Sequence, residues 1–196
     1  MTPRERLKSP RLRLFVALEL PEAILEPLVA WRDEVLGGLA DLRPLPRESL
    51  HVTLVFLGYQ AERDVDRIAE ICFADRPPPF ELLAEALVGV PPRRPRLYAL
   101  SLEDRGGALT AWQGALSEAL AGVGLYEPEK RPFWSHVTLA RAKRDRPAPR
   151  IEPPSLPEGL RGAFVSDRAT LYRSTLTPRG AVYDPLASVT LPGREH

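Results

Sequence analysis

His51 and His136 each open an identical tetrapeptide, His-Val-Thr-Leu, at residues 51–54 and 136–139. The third histidine, His196, is the last residue of the chain, where fraying concentrates. Both copies of the tetrapeptide follow a loop bearing Pro and Arg, and both lie in apolar, β-branched surroundings that predict strands. Side chains alternate between the faces of a strand, so His51 and Thr53 project together while Val52 and Leu54 project the other way. The same holds for His136 and Thr138 against Val137 and Leu139. An internal duplication with the two strands near a rough two-fold axis would bring two imidazoles and two hydroxyls into one small volume.

That constellation suits a phosphodiester. One imidazole can be neutral and take a proton from water while the other, protonated, gives one to the departing oxygen. Threonine hydroxyls can donate to the non-bridging phosphoryl oxygens, where charge collects in the transition state. No Asp, Glu or Cys accompanies either histidine at ligand spacing, so the pattern predicts chemistry without a metal or other cofactor. A single His on a strand is more often structural, and a two-His metal site or coincidence are the competing explanations. The duplication, with His and Thr on one face in both copies, is what favours catalysis.

The elements that must position these residues follow from periodicity. Residues 11–19 (RLRLFVALE), bounded by Pro10 and Pro21, predict a strand with a buried portion. Pro21 opens a helix to about residue 39, with Ile24, Leu25, Leu28, Trp31 and Val35 at helical spacing and Gly37-Gly38 as its stop. Residues 50–57 predict a second strand ending at Gly58, and residues 61–73 a helix carrying Val65, Ile68, Ala69 and Cys72 on one face. Strands are predicted over 80–90 and 96–102, although the first would also permit a helix, and a third helix over 106–123 carries Leu109, Trp112, Leu116 and Leu120. Strands over 136–142, 162–175 and 181–191 complete the pattern, with a Pro- and Arg-rich loop at 144–157 and a turn through Pro178, Arg179 and Gly180. This is an α+β layout with helices covering one face of mostly antiparallel sheets.

Composition bounds the rest. The chain has 196 residues, 44% hydrophobic and 27% charged, enough for a buried core in one domain or two small fused lobes. A net charge of +1 gives no global positive field to hold a long duplex by counterion release, so contact with nucleic acid is expected to be local. The lone cysteine, Cys72, excludes an internal disulfide and a Cys-rich zinc site and fits a reducing cytoplasm. Residues 1–13 lack the apolar run of a signal peptide, and the apolar segment 12–20 is too short to span a bilayer. Basic residues are almost all Arg, with Lys at 8, 130 and 143, a bias that thermal adaptation or a GC-rich genome would each produce.

Four segments in order, RLFVALELP (13–21), HVTLVFLG (51–58), RPFWSHVTLAR (131–141) and LYRSTLTPRGAVYDPL (171–186), resemble the 2H phosphoesterase superfamily. Within it they resemble the LigT/ThpR-like RNA 2′,3′-cyclic phosphodiesterases, also called RNA 2′,5′-ligases. The likeness runs over nearly the whole chain. It implies a single bilobal domain over residues 1–196, two pseudo-symmetric lobes with helices on the outer face and a central cleft. It also implies hydrolysis of RNA 2′,3′-cyclic phosphate ends to 2′-phosphates, with a minor ATP-independent reverse ligation. By resemblance His51 and Thr53 form one half-site and His136 and Thr138 the other, His51 being the acid that protonates O3′ and His136 the base. Spacing alone leaves that assignment open.

Arg141 is a phosphate-binding candidate by resemblance, although strict alternation puts it on the face opposite His136 unless the strand bulges or ends there. Phe133 and Trp134 are candidates for stacking on a base, with core packing the competing role for Phe133. Ser174 is a further cleft candidate, as are Phe15 and Tyr172, for which a place in the core is the alternative. The expected partners are RNA ends or small cyclic nucleotides, bound by a cytoplasmic monomer with no membrane attachment. The alternatives are a 2H enzyme acting on another small phosphodiester, such as a 2′,5′-oligoadenylate or an ADP-ribose cyclic phosphate, and a non-catalytic RNA-binding module.

Overall fold

The computed structural model describes residues 10–143, 147–178 and 180–193. Residues 144–146 of the expected loop, Arg179 of the expected turn and His196 lie outside them, as does most of the basic N-terminal stretch.

Every strand predicted from alternation forms. They are β1 (Arg11–Glu19), β3 (His51–Ala61), β4 (Glu81–Val90), β5 (Leu97–Arg105), β6 (His136–Ala142), β7 (Arg168–Thr177) and β8 (Gly180–Thr190), and a short β2 (Leu42–Pro44) joins them. Residues 80–90 resolve to strand rather than helix because each side of the segment finds a partner: β4 pairs along its length with β5, and Leu82 bridges Phe164. Residues 162–167, expected as the start of a strand, contribute only that bridge, and β7 begins at Arg168.

The helices are α1 (Glu22–Leu36), α2 (Val65–Phe73) and α3 (Ala108–Gly122). Each buries the stripe its spacing predicts: Ile24, Leu28 and Trp31 on α1, Ile68 and Cys72 on α2, and Leu109, Trp112, Leu116 and Leu120 on α3. Leu25, Val35, Val65 and Ala69 are partly buried against the same core. The start of α3 is held by Asp104, whose carboxylate accepts from the Leu109 and Thr110 backbone N–H groups and from the Thr110 hydroxyl. These are orphan donors of a first helical turn, and a carboxylate also suits the positive end of the helix dipole.

The strands make one antiparallel sheet in the order β4-β5-β6-β3-β1-β7-β8, with β2 paired to β6. Its two halves repeat a β-α-β unit, β1-α1-β3 and β5-α3-β6, in which a helix joins two antiparallel neighbours. The halves meet at β3 and β6, which share a single register pair, Val52 opposite Val137. Those valines each follow a histidine, so the seam of the sheet is where the two tetrapeptides face one another. A single hydrophobic cluster runs through both halves, drawing Val16, Leu18 and Val52 from one and Leu100, Val137 and Leu139 from the other. Among the described residues no helix is long and apolar enough to cross a membrane.

Candidate active site

From each catalytic candidate onward, exposure follows the same course over six residues: half-buried, buried, half-buried, buried, buried, exposed. The two consecutive buried positions break the alternation, and each break is a β-bulge. On β3 the register passes from Ala17 opposite Thr53 to Val16 opposite Val55, leaving Leu54 as an extra residue. On β6 it passes from Ala99 opposite Thr138 to Tyr98 opposite Ala140, leaving Leu139 extra. A bulge leaves backbone groups outside the ladder that must find partners elsewhere. The Leu54 carbonyl accepts from Gln113 Nε2 of α3 at 3.2 Å, and the Leu139 carbonyl from the Leu45 backbone N–H at 2.8 Å.

The consequence is that the residue five after each histidine returns to the histidine's face. Arg141 therefore enters the cleft beside His136 and Thr138, contrary to strict alternation and through the bulge that this required. Its counterpart in the other half is Phe56, which the same device brings beside His51 and Thr53. A second bulge follows at Leu57, where Gly58 takes φ +66°, a left-handed conformation that explains why glycine ends this motif.

The imidazole of His51 stacks on Phe15 with centroids 5.0 Å apart, and Tyr183 of β8 meets it edge-on at 5.4 Å. Behind Phe15 lies Tyr172, stacked at 5.2 Å, whose hydroxyl donates to Glu19 Oε1 at 3.0 Å. Phe15 is thus both buried and a wall of the site, whereas Tyr172 supports that wall from behind. Burial first, then the nearby charges of His136 and Arg141, hold the His51 imidazole down at about 4.

His136 is held differently. Its ring stacks on the indole of Trp134 with centroids 4.1 Å apart and 14° between planes, and its Nδ1 lies 2.8 Å from the Trp134 carbonyl oxygen. A carbonyl only accepts, so Nδ1 carries the proton and Nε2 is the atom free to work in the cleft. Burial lowers the His136 pKa below the usual imidazole value; the hydrogen bond to Trp134 opposes that shift and the charge of Arg141 adds to it. Trp134 is itself fixed, its Nε1 donating to Ser101 Oγ at 3.1 Å and Ser101 donating to Glu85 Oε2 at 2.8 Å.

His51, His136, Thr53, Thr138, Arg141 and Ser174 all line one cavity of about 130 Å³. Phe133 and Trp134 line an adjoining groove of about 360 Å³ that shares His136, Thr53 and Phe56 with it. Phe133 is half-buried and packs against the core as well as lining the groove. Arg13, Phe56 and Tyr183 line the same cavity without having been anticipated. Arg13 shares the β1 face of Phe15 two residues on, a period-two signal that was available; it donates to Ser174 Oγ at 3.0 Å and its guanidinium lies 4.5 Å from the Phe56 ring centre. Among the described residues no carboxylate lines the cavity, and no three His, Cys, Asp or Glu side chains gather where a metal ion could sit.

A cavity of this size admits a phosphoryl group rather than a nucleotide, since pockets for whole small molecules run to roughly 300–1,000 Å³. Two guanidiniums, the hydroxyls of Thr53 and Thr138 among others, and two imidazoles around such a volume can bind an anion, balance added negative charge and move protons at two points.

Residues 20–177 match the model of the 2′-5′ RNA ligase superfamily. The chain is 31% identical to an RNA 2′,3′-cyclic phosphodiesterase of Thermus thermophilus over 191 residues, 94% of this chain and 92% of that protein. The crystal structure of TT0787, also from Thermus thermophilus, superposes with a TM-score of 0.80 at 29% identity, covering 94% of this chain and all of that one. LigT of E. coli complexed with 3′-AMP superposes with a TM-score of 0.74 at 28% identity, covering 93% of this chain and 99% of LigT.

Proposed function

The chain belongs to the 2′-5′ RNA ligase superfamily, and we propose that it is an RNA 2′,3′-cyclic phosphodiesterase that opens the cyclic phosphate at an RNA end to a 2′-phosphate by two-histidine acid–base catalysis. The observation that carries this reading is the convergence of both His-x-Thr pairs with Arg13 and Arg141 on one phosphoryl-sized cavity. The names of the relatives and the nucleotide bound by LigT agree with it.

In the reaction, water adds to phosphorus as the bond to O3′ breaks, so the phosphorane-like transition state carries about one more negative charge than the cyclic diester. Arg13 and Arg141 balance that charge, and the Thr53 and Thr138 hydroxyls donate to the non-bridging oxygens. One imidazole removes the proton of water and the other delivers a proton to O3′. By resemblance His51 is the acid and His136 the base; the His136 Nδ1–H is bonded to the Trp134 carbonyl, which leaves the Nε2 lone pair to take the proton of water. No step needs a metal: rings, hydroxyls and guanidiniums surround the two imidazoles, and guanidiniums repel a cation.

Microscopic reversibility lets an RNA 5′-hydroxyl take the place of water and form a 2′,5′ linkage. Ligation is the minor reaction, because water is abundant and a net charge of +1 does little to concentrate a second RNA end. The reading has the protein act on RNA ends or small cyclic nucleotides. The test is to incubate the purified protein with a nucleoside 2′,3′-cyclic phosphate, with and without EDTA, and identify the product isomer. A 2′-phosphate formed at the same rate in both is the expected result. A 3′-phosphate would mean that O2′ leaves, and loss of activity with EDTA restored by a divalent ion would replace the two-histidine mechanism with a metal site. Turnover of 2′,5′-oligoadenylate or an ADP-ribose cyclic phosphate in preference to RNA ends would assign a different substrate to the same chemistry.

A further inference from the structure

Arg32 lies on the face of α1 that meets the core, 6% exposed and buried along with Leu28, Trp31 and Leu36. Burying a cation is costly unless its donors find acceptors. Asp33, the next residue, supplies one: its carboxylate accepts from Arg32 Nε at 2.9 Å and pairs with Nη2 at 2.7 Å, although that side chain is itself 55% exposed. The remaining arm, Nη1, donates to the backbone carbonyl of Leu45. Leu45 stands between Pro44 and Pro46, so it carries the one backbone N–H of that tripeptide. The N–H goes to the Leu139 carbonyl at 2.8 Å, on the extra residue of the β6 bulge. Leu45 is thus held at both of its backbone groups, by α1 in one half of the sheet and by β6 in the other.

We propose that Arg32 is a positioning residue for Arg141: by clamping Leu45 against the bulge it keeps the Arg141 guanidinium in the cavity. Arg141 joins His136 and Thr138 there only because Leu139 is an extra residue, and without the bulge strict alternation would turn it to the opposite face. A buried carbonyl outside the ladder is costly unless it has a donor. β2 ends at Pro44, opposite Ala140, and proline has no N–H to offer, so Leu45 is the first residue past the strand that can supply one. A hydrogen bond from a guanidinium to a carbonyl is stronger than one between neutral groups, and burial keeps water from competing for it. An arginine that lines neither the cavity nor the groove thereby decides where a cavity arginine of the other half sits. The bulge at Leu54 needs no such relay, because Gln113 donates to its carbonyl directly.

This inference rests on the cyclic phosphodiesterase reading for the role of Arg141, and its test separates the two by following the imidazoles as well as turnover. Arg32→Met, which keeps the stem and removes the donors, is compared with the native protein, with Arg141→Gln and with the double variant. For each, kcat/KM is measured on a nucleoside 2′,3′-cyclic phosphate, and His51 and His136 are titrated by NMR without substrate. Arg32→Met is expected to lower kcat/KM on the order of 10–10²-fold and to move both titrations to higher pH, because the charge of Arg141 then no longer holds them down. In the Arg141→Gln background it should change neither. Arg32→Lys, which retains a charged donor, should recover most of the rate. Leu45→Pro, which removes the N–H and leaves Arg32 in place, should reproduce both effects, and it carries the test if Arg32→Met does not fold. A loss of rate of equal size in both backgrounds, or titrations that Arg141→Gln moves and Arg32→Met does not, would overturn the inference and leave the phosphodiesterase reading in place. Titrations that neither substitution moves would overturn it as well, since Arg141 would then not be held in the cavity. A native protein that turns over no cyclic phosphate while the titrations follow the expected pattern would overturn the phosphodiesterase reading and leave the positioning role standing.

Discussion

Trp134 grips His136 twice, once through its indole face, 4.1 Å from the imidazole centroid, and once through its carbonyl oxygen, 2.8 Å from Nδ1. The backbone contact sets the tautomer and the ring contact sets the orientation. They also act on the pKa in opposite ways. The indole shields the imidazole from water, which disfavours the charged form, while a cation over an aromatic face is stabilised by about 0.5–2 kcal/mol. Burial is the largest influence on His136, so desolvation is expected to outweigh the cation–π attraction. Trp134→Ala should therefore raise the alkaline limb of the kcat/KM profile toward the ordinary imidazole value and lower the optimum rate on the order of 10–10²-fold through lost orientation. Trp134→Phe should restore most of the rate. An alkaline limb that moves down in Trp134→Ala would show that the cation–π attraction dominates.

The two histidines are expected to act as a unit. His51→Ala and His136→Ala should each lower kcat by on the order of 10²–10⁴, and Thr53→Ala or Thr138→Ala by roughly 10–10³. The double histidine variant should be little worse than either single one. Steady-state rates of the five proteins check this, and near-native activity in either single histidine variant would refute the paired site.

Acid and base can be told apart by the leaving group. A cyclic substrate with sulfur in place of O3′ departs as a thiolate and needs no proton, so it should restore activity to the protein that lacks the acid. With His51 as the acid, rescue is expected in His51→Ala and absent in His136→Ala. The opposite pattern would exchange the two roles.

Arg141 offers a test of the site's electrostatics. Its positive charge lowers the pKa of both imidazoles, so Arg141→Gln removes a repulsion and makes both easier to protonate. Both limbs of the bell-shaped kcat/KM profile should then move to higher pH, the acidic limb rising from about 4. The maximum should fall on the order of 10²–10³-fold with the loss of a donor to the developing charge. Arg141→Lys, which keeps the charge, should leave the limbs in place and recover part of the rate. Limbs that stay fixed in Arg141→Gln would mean that the guanidinium is too well solvated to be felt.

The two half-sites, and the face each one shows, were legible in the chain alone. A repeated His-x-Thr on a strand carries its own geometry, because period-two alternation is local and holds as long as the strand is regular. The helical stripes of α1, α2 and α3 were legible for the same reason, since helical spacing places Leu109, Trp112, Leu116 and Leu120 on one face whatever they pack against. Where the alternation stops depends instead on long-range packing. The bulges at Leu54 and Leu139 are held by carbonyl partners far away in the chain, Gln113 and Leu45, and no local pattern around residue 54 or 139 encodes them. On those bulges depends whether Phe56 and Arg141 enter the cleft. Arg13 and Tyr183 reach it only because β1 pairs with both β3 and β7, and β7 pairs with β8. The unequal pKa values of two histidines in identical tetrapeptides have the same origin: one ring is boxed by Phe15 and Tyr183 and the other is bonded to a carbonyl, and desolvation and hydrogen bonding belong to the packed surroundings rather than to the residue.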